Sequence, residues 1–240
     1  MTIPLTARWV VVDIEGTVTA TKQVHGVLYD YARPRLGAWI DDHPDDAEVA
    51  GAVRQVRELA GLPDTATTAE VVAVLHEWMD ADRKAAPLKT LQGLVWQHGY
   101  AHGELTIALF PDVAPALRSW HEAGVSLAVF SSGSVAAQVA LFANTTDGDL
   151  TALFSGYFDT VNAGPKRETV AYERIAERLG AAAEDLAFLS DVPAELDAAA
   201  AVGWRVVGLA RPGEPFADAD FGPHPTTDSL TRLQVVVPQP

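Results

Sequence analysis

The chain has 240 residues, of which 48% are hydrophobic and 20% are charged. Its 17 lysines and arginines face 32 aspartates and glutamates, which gives a formal net charge of −15. Because nucleic acids and anionic membranes are bound through clustered lysine and arginine, this acidity argues against both as partners, although it permits a small anionic substrate. The absence of cysteine from the sequence excludes disulfides, thiolate metal sites and cysteine nucleophiles.

The first residues of the chain contain neither the basic flank nor the long apolar stretch and cleavage site of a secretory signal. No apolar run in the sequence approaches the ~20 residues that a membrane-spanning helix needs. We therefore expect a soluble, cytoplasmic protein.

Short apolar runs, several of them rich in β-branched residues, recur along the chain and stop abruptly. They cover residues 9–12, 125–130, 186–189 and 204–209. Such runs are typical of strands that are buried on both faces of a parallel sheet. Helical patterns alternate with them at residues 111–123, 135–143, 167–179 and 193–202. The alternation predicts an α/β core with a Rossmann-like parallel sheet flanked by helices, a fold that binds ligands beyond the carboxyl ends of its strands.

A second region, residues 21–108, shows helical periodicity and no strand pattern. Its helix-length stretches cover residues 24–40, 47–60, 69–83 and 88–98. Because this region interrupts the alternation directly after the first strand, we expect an inserted all-helical cap domain over residues 21–108. The α/β core would then consist of residues 1–20 and 109–240, and the cap would close over its site as a lid.

Three aromatic residues of the predicted cap, Tyr29, Trp96 and Tyr100, are candidates to line a substrate pocket. Packing inside the cap is the favoured interpretation, since aromatic residues on helices usually belong to a core. His25 is interpreted as a solvated residue at the start of a helix. The C-terminal segment, residues 214–240, carries no functional signal.

Two carboxylates, Asp13 and Glu15, follow the first predicted strand, and Gly16 permits a tight turn there. One carboxylate at such a position can attack an electrophile while the other exchanges protons with the leaving group. Both are hard oxygen ligands that suit Mg²⁺. Taken alone, the pair fits a solvated acidic loop equally well.

Four further polar residues, at three places in the chain, follow later strands or open helices. Ser131 and Ser132 end the second strand and precede a helix, where hydroxyl and backbone N–H groups form a phosphate cradle. Lys166 opens the next helix and supplies a counter-charge, and Asp191 follows the third strand as another carboxylate. Each has an ordinary alternative, a helix cap or a solvated first-turn lysine. Their order, one element to each βα unit, favours a single site for phosphoryl transfer.

This ordered set resembles the haloacid dehalogenase superfamily, with Glu15 standing where most of its phosphatases carry aspartate. Four segments narrow the resemblance to the enolase-phosphatases, a family of the methionine salvage pathway also called acireductone synthases. They are VDIEGTVT at 12–19, LQGLVWQHGYAHGEL at 91–105, FSSGSVAAQVALF at 130–142 and GDLTALFSGYFDT at 148–160. The resemblance runs from about residue 9 to residue 213, and the segment at 91–105 is not shared by the superfamily at large.

The resemblance implies a haloacid dehalogenase-like core and a reaction in two steps on one small phosphorylated substrate, 2,3-diketo-5-methylthiopentyl-1-phosphate. The ester is enolised and then dephosphorylated through an aspartyl-phosphate. By position, the resemblance assigns Asp13, Glu15 and Asp191 to one Mg²⁺, and Ser131, Ser132 and Lys166 to the substrate phosphate. Asp13, Glu15 and Lys166 would be catalytic, and the family expectation is a monomer.

Two alternatives stay open at this point. The first is a phosphatase of the same fold that acts on another small organophosphate. The second is a non-catalytic phosphate-responsive binding or signalling domain. Occupied catalytic positions and the helical insertion count against the second, because a signalling receiver domain is about half this length and carries its extra acids before the phosphoacceptor aspartate.

Overall fold

The computed structural model describes residues 2–238, apart from the side chain of His25, so the interpretation of that side chain lies outside the described residues. The described residues fall into two compact units. An α/β unit runs to Gln23 and resumes at Thr106, and a helical unit spans Val24–Leu105. The expected domain ranges stay predictions, and Met1, Gln239 and Pro240 lie outside the described residues. Within the described part of the chain, no helix has the length and apolar character to cross a membrane.

The α/β unit is built on parallel strands. In chain order they are β1 (Ile3–Thr6), β2 (Trp9–Val12), β3 (Ser126–Phe130), β4 (Phe154–Phe158), β5 (Leu186–Ser190), β6 (Arg205–Leu209), β7 (Thr226–Thr227) and β8 (Leu233–Val236). Six of them form one sheet in the order β4-β3-β2-β5-β6-β7, and β1 pairs with β8 alone. Every one of these pairings is parallel. The predicted α/β fold with a parallel sheet is confirmed.

The centre of the sheet is apolar because helices cover both of its faces. Val10, Val11 and Val12 of β2 are fully buried, as expected for a strand of a parallel sheet that is covered on both faces. The helices of this unit are Thr21–Gln23, Val113–Glu122, Val135–Ala143, Thr169–Leu179 and Pro193–Ala201, with 3₁₀ turns at Thr151–Leu153, Ala183–Asp185 and Leu230–Arg232. Tyr172, from one of these helices, packs edge-on against Phe130 and Phe188 of the sheet. Because β2 lies between β3 and β5 and all three strands are parallel, their carboxyl ends lie side by side.

Two strands of the main sheet have no counterpart in the sequence prediction. β4 reads FSGYF and lies at the edge, where Ser155 is exposed and Gly156 and Tyr157 are only half-buried. An edge strand lacks the unbroken apolar run of a central one, so the pattern for a doubly buried strand misses it. β7 has only two residues, too few for any periodicity.

The helical unit consists of α-helices around an apolar core. They are Asp30–Ala32, Leu36–Asp42, Ala47–Ala60, Thr68–Asp80 and Ala86–Ala101, preceded by a π-helical turn at Val24–Tyr29. The single helical stretch expected over residues 24–40 is wrong, because the chain turns at residues 33–35. Pro34 explains the break, since its ring removes a backbone donor and clashes with the preceding turn.

The aromatic residues singled out in this region pack within the helical unit. Tyr29 and Trp96 stack with ring centroids 6.0 Å apart, and both lie against the unit's apolar core. The Trp96 indole N–H donates to the Leu28 carbonyl over 2.7 Å. Tyr100 is buried. These contacts agree with the favoured interpretation that the three residues are packing residues.

Candidate active site

Asp13 lies at the carboxyl end of β2, where its backbone N–H donates to the Leu189 carbonyl and so continues the sheet by one bond (2.9 Å). The carboxylate is buried and faces Lys166, with 2.5 Å between Asp13 Oδ1 and Lys166 Nζ. Glu195, in the first turn of the helix Pro193–Ala201, reaches the same ammonium from the other side at 2.6 Å. One buried lysine is therefore held between two buried carboxylates.

Asp191 lies at the end of the neighbouring strand β5, and Thr17 joins it to Asp13. The Asp191 backbone N–H donates to Thr17 Oγ1 (3.0 Å), and that hydroxyl donates weakly to Asp13 Oδ2 (3.5 Å). Between them Gly16 adopts a φ of +71°, and a Cβ at that position would lie 2.2 Å from Asp191 Oδ2. The turn after β2 thus needs glycine both for its backbone conformation and for the space that Asp191 occupies.

Ser131 and Ser132 end β3 and begin the loop that leads into the helix Val135–Ala143. The Ser131 backbone N–H donates to the Phe158 carbonyl (3.1 Å), and the amide of buried Gln138 donates to both the Phe158 and the Gly133 carbonyls (2.8 Å each). Asp159 accepts from the first backbone N–H of the helix, at Val135 (3.0 Å). The loop is therefore fixed from behind, which leaves the two serines at the site.

These side chains line a single pocket of about 180 Å³. Its lining residues are Asp13, Glu15, Thr21, Ser131, Ser132, Lys166, Asp191, Val192, Glu195, Pro215 and Phe216. All six residues predicted from the sequence, Asp13, Glu15, Ser131, Ser132, Lys166 and Asp191, thus come together at the carboxyl edge of the sheet. Their individual roles stay predictions.

Charge is unevenly balanced in this pocket. Burial by itself lowers the pKa of Lys166, but the carboxylates of Asp13 and Glu195 outweigh it and hold that pKa above its ordinary range. Burial, together with the charges of Asp13 and Glu195, raises the pKa of Asp191 to about 8. Four carboxylates, those of Asp13, Glu15, Asp191 and Glu195, thus share the pocket with one lysine.

Sequence comparison relates this site to known proteins. The family of haloacid dehalogenase-like hydrolases matches residues 7–203. The protein named enolase-phosphatase E1 of Saccharopolyspora erythraea is 66% identical over 238 residues, which cover 99% of each chain. The protein of that name from Streptomyces avermitilis is 56% identical over 226 residues and 94% of each chain. The chain belongs to the enolase-phosphatase E1 family of haloacid dehalogenase-like hydrolases. The resemblance read from the sequence is thereby confirmed.

A solved structure carries the same fold. The UTR4 protein of Saccharomyces cerevisiae is 30% identical, and the alignment covers 94% of this chain and 99% of that one with a TM-score of 0.76. As a member of the enolase-phosphatase E1 family, this chain is an enzyme of the hydrolase class.

Enzymes of the enolase-phosphatase E1 family generally depend on a metal ion. In the described part of this chain, no group of three or more histidine, aspartate or glutamate residues is arranged to hold one. Asp13 and Asp191 nevertheless bring two buried carboxylates into one pocket. Mg²⁺ is bound through one or two carboxylates, with water and phosphate oxygens completing its shell, so these residues suit it. The three-residue set with Glu15 stays a prediction.

Sequence reasoning missed five residues that line this pocket, Thr21, Val192, Glu195, Pro215 and Phe216. Glu195 follows Asp191 by four residues, in the first turn of a helix where an acidic residue reads as an ordinary partner of the helix dipole. The sequence signal for Glu195 is its position four residues after Asp191, an aspartate at the end of a strand. Pro215 and Phe216 belong to the segment 214–240, for which no function was expected, and no local pattern distinguishes them.

Proposed function

We propose that the chain converts 2,3-diketo-5-methylthiopentyl-1-phosphate into 1,2-dihydroxy-3-keto-5-methylthiopentene and phosphate in methionine salvage. The observation that carries the proposal is the buried pair of Asp13 and Lys166 in a pocket shared with Ser131 and Ser132. The 66% identity to a protein named enolase-phosphatase E1 supports the choice of substrate. Action as a monomer in the cytoplasm belongs to the same proposal.

Asp13 is suited to attack phosphorus, because its buried carboxylate lies 2.5 Å from the Lys166 ammonium and the strand end fixes its position. An oxygen of Asp13 forms a bond to phosphorus as the bond from phosphorus to the substrate oxygen breaks, which leaves an aspartyl-phosphate. Water then attacks the same phosphorus, and the bond to Asp13 breaks to return the carboxylate. Ser131, Ser132 and Lys166 hold the phosphoryl oxygens through both steps.

Glu15 is assigned the proton transfers of the phosphatase step. It gives a proton to the departing enol oxygen and takes one from the attacking water. The longer arm of glutamate, where most phosphatases of the superfamily have aspartate, also suits Glu15 to the enolisation. There Glu15 takes a proton from the carbon that bears the phosphate ester and gives it to the neighbouring keto oxygen, which becomes an enol hydroxyl as the carbon–carbon double bond forms.

We assign the metal as Mg²⁺, held by Asp13, Glu15 and Asp191. When bound, Mg²⁺ supplies neutralisation of the negative charge on the phosphoryl oxygens. Asp191 contributes a carboxylate to this metal site. The hydrogen bond from the Asp191 backbone N–H to Thr17 Oγ1 also fixes the loop that follows Asp13.

The proposal is tested by anaerobic incubation with the diketo phosphate and Mg²⁺, following phosphate release and enol absorbance together. Asp13→Asn removes the nucleophile but keeps the size of the side chain, and we expect no phosphate release from it. Asp185→Asn is the matched control, because Asp185 precedes β5 at the opposite edge of the sheet and its side chain pairs with half-exposed Arg8 at 3.4 Å. This control retains both signals.

Phosphate release from simple esters but not from the diketo phosphate would leave the phosphatase in place and overturn the substrate. Phosphate release by Asp13→Asn at the wild-type rate would overturn the aspartyl-phosphate mechanism.

A further inference from the structure

The loop after β6 brings apolar side chains into an otherwise polar pocket. Most of the lining is charged or carries a hydroxyl, as binding of a phosphoryl group requires. The apolar part of the described lining consists of Val192, Pro215 and Phe216. Two of these three residues come from one short stretch of the loop.

This loop is fastened to the catalytic region at two points. Buried Arg211 donates through Nε to the Thr17 carbonyl (2.7 Å), in the turn that follows Asp13. The Glu214 carboxylate accepts from the Thr21 backbone N–H (2.9 Å), and Thr21 itself lines the pocket. Pro215 and Phe216 follow Glu214 directly, so the second anchor sets their position at the pocket.

A second phenylalanine of the same loop, Phe221, packs in the core, whereas Phe216 does not. Phe221 is buried in the main core and covers Gly208 of β6, where a Cβ would meet its ring at 2.4 Å. Phe216 is half-buried and lines the pocket instead. An aromatic side chain in a pocket wall favours binding when an apolar part of the ligand covers its ring.

From these observations we propose that Phe216, supported by Pro215, binds the carbon chain of the substrate and makes the α/β unit a determinant of specificity. The inference deepens the proposed function and rests on it for the identity of the substrate. The polar lining holds the phosphate, and the apolar wall contacts the part of the substrate that distinguishes it from other phosphate esters. Specificity is then not left to the helical unit alone.

The experiment measures the dissociation constants of a series of n-alkyl phosphonates, from methyl to pentyl, with the full-length protein and Mg²⁺. These ligands share the phosphate-like head and differ only in chain length. For wild type we expect affinity to rise two- to fourfold with each added methylene, the range that partial to full burial of a methylene gives. For Phe216→Ala we expect this rise to be lost, with methylphosphonate affinity unchanged.

Two variants serve as comparisons. Phe216→Leu keeps an apolar side chain and retains most of the chain-length dependence. Val139→Ala truncates an exposed apolar residue on the helix Val135–Ala143, outside the pocket lining, and leaves the series as in wild type. With the diketo phosphate, we expect Phe216→Ala to lower kcat/KM about tenfold or more, the scale of lost apolar contacts in a specificity pocket.

The outcomes separate this inference from the proposed function. A wild-type series with no dependence on chain length overturns the apolar wall, even where the diketo phosphate is turned over. A dependence that survives in Phe216→Ala overturns it equally. A dependence that disappears in Phe216→Ala supports the wall, and absence of turnover of the diketo phosphate in the same protein would then overturn only the proposed substrate.

Discussion

Replacement of Gly16 by alanine separates the two reasons for glycine in the turn after β2. The new Cβ would lie 2.2 Å from Asp191 Oδ2, whereas real Cβ atoms essentially never approach closer than 3.0 Å. The Asp191 carboxylate and the turn must therefore move apart by at least 3.0 − 2.2 = 0.8 Å. Displacement of a catalytic group by about 1 Å costs about 100-fold in rate, so we expect a loss of that size in kcat for Gly16→Ala.

The matched control is Gly180→Ala. Gly180 has a φ of +62°, close to the +71° of Gly16, but a Cβ there meets nothing within 4 Å. Both variants bear the cost of a left-handed alanine, about 1–2 kcal/mol of the free energy of unfolding, whereas only Gly16→Ala displaces a site carboxylate.

The assay is kcat for phosphate release from the diketo phosphate at saturating Mg²⁺, with thermal unfolding of both variants. We expect a decrease in Tm for both variants, larger for Gly16→Ala because of the clash with buried Asp191. We expect a kcat for Gly180→Ala within about twofold of wild type, and the large loss of kcat in Gly16→Ala alone. Equal kcat values for the two variants would refute the argument that Gly16 makes room for Asp191.

Three further predictions concern charge. Glu15→Gln should slow phosphate release 10²–10⁴-fold, the usual contribution of a general acid or base, and normal enol formation by this variant, followed by ultraviolet absorbance, would remove Glu15 from the enolisation. Chelation of divalent ions should abolish phosphate release and added Mg²⁺ should restore it; turnover that persists after complete metal removal would contradict the metal assignment. Burial raises the pKa of Asp112, but its pairing with Arg211 at 2.9 Å and a hydrogen bond from Leu230 outweigh this and hold it below the ordinary value. A carboxyl whose pKa is depressed in the folded state stabilises the fold above its unfolded-state pKa near 4, and it loses that effect as pH falls through the folded-state pKa. The difference in Tm between wild type and Asp112→Asn should therefore narrow below about pH 4. A difference that is constant with pH would contradict this role.

Much of the site was predictable because its parts are local in sequence. Asp13, Ser131 and Asp191 each follow a buried apolar run, and parallel strands bring their carboxyl ends to one edge of the sheet. The pattern of a doubly buried strand therefore locates these residues with no knowledge of the strand order. The same reasoning identified the central strands and failed at β4, whose half-exposed sequence lacks that pattern.

The remaining parts depend on packing between distant segments. Glu195 belongs to the site because it pairs with Lys166, which lies 29 residues earlier in the chain. The sequence around Glu195 is that of an ordinary helix start. Phe216 and Phe221 stand five residues apart in one loop, and only the packing of Phe221 on Gly208 separates a core residue from a pocket residue. Local periodicity carries no information about either relationship.

The strand order also fixes when the site can assemble during synthesis on the ribosome. β2 is among the first segments to emerge, yet its two neighbours are β3 and β5, at Ser126–Phe130 and Leu186–Ser190. The residues of the helical unit, Val24–Leu105, are all translated before either neighbour exists. The nascent chain therefore carries an apolar, unpaired β2 until β3 ends at Phe130 of the 240 residues, and Asp13 gains its full surroundings only after Ser190 has emerged. Early truncation products of this protein should for this reason depend on chaperones, since an exposed apolar strand is prone to aggregate.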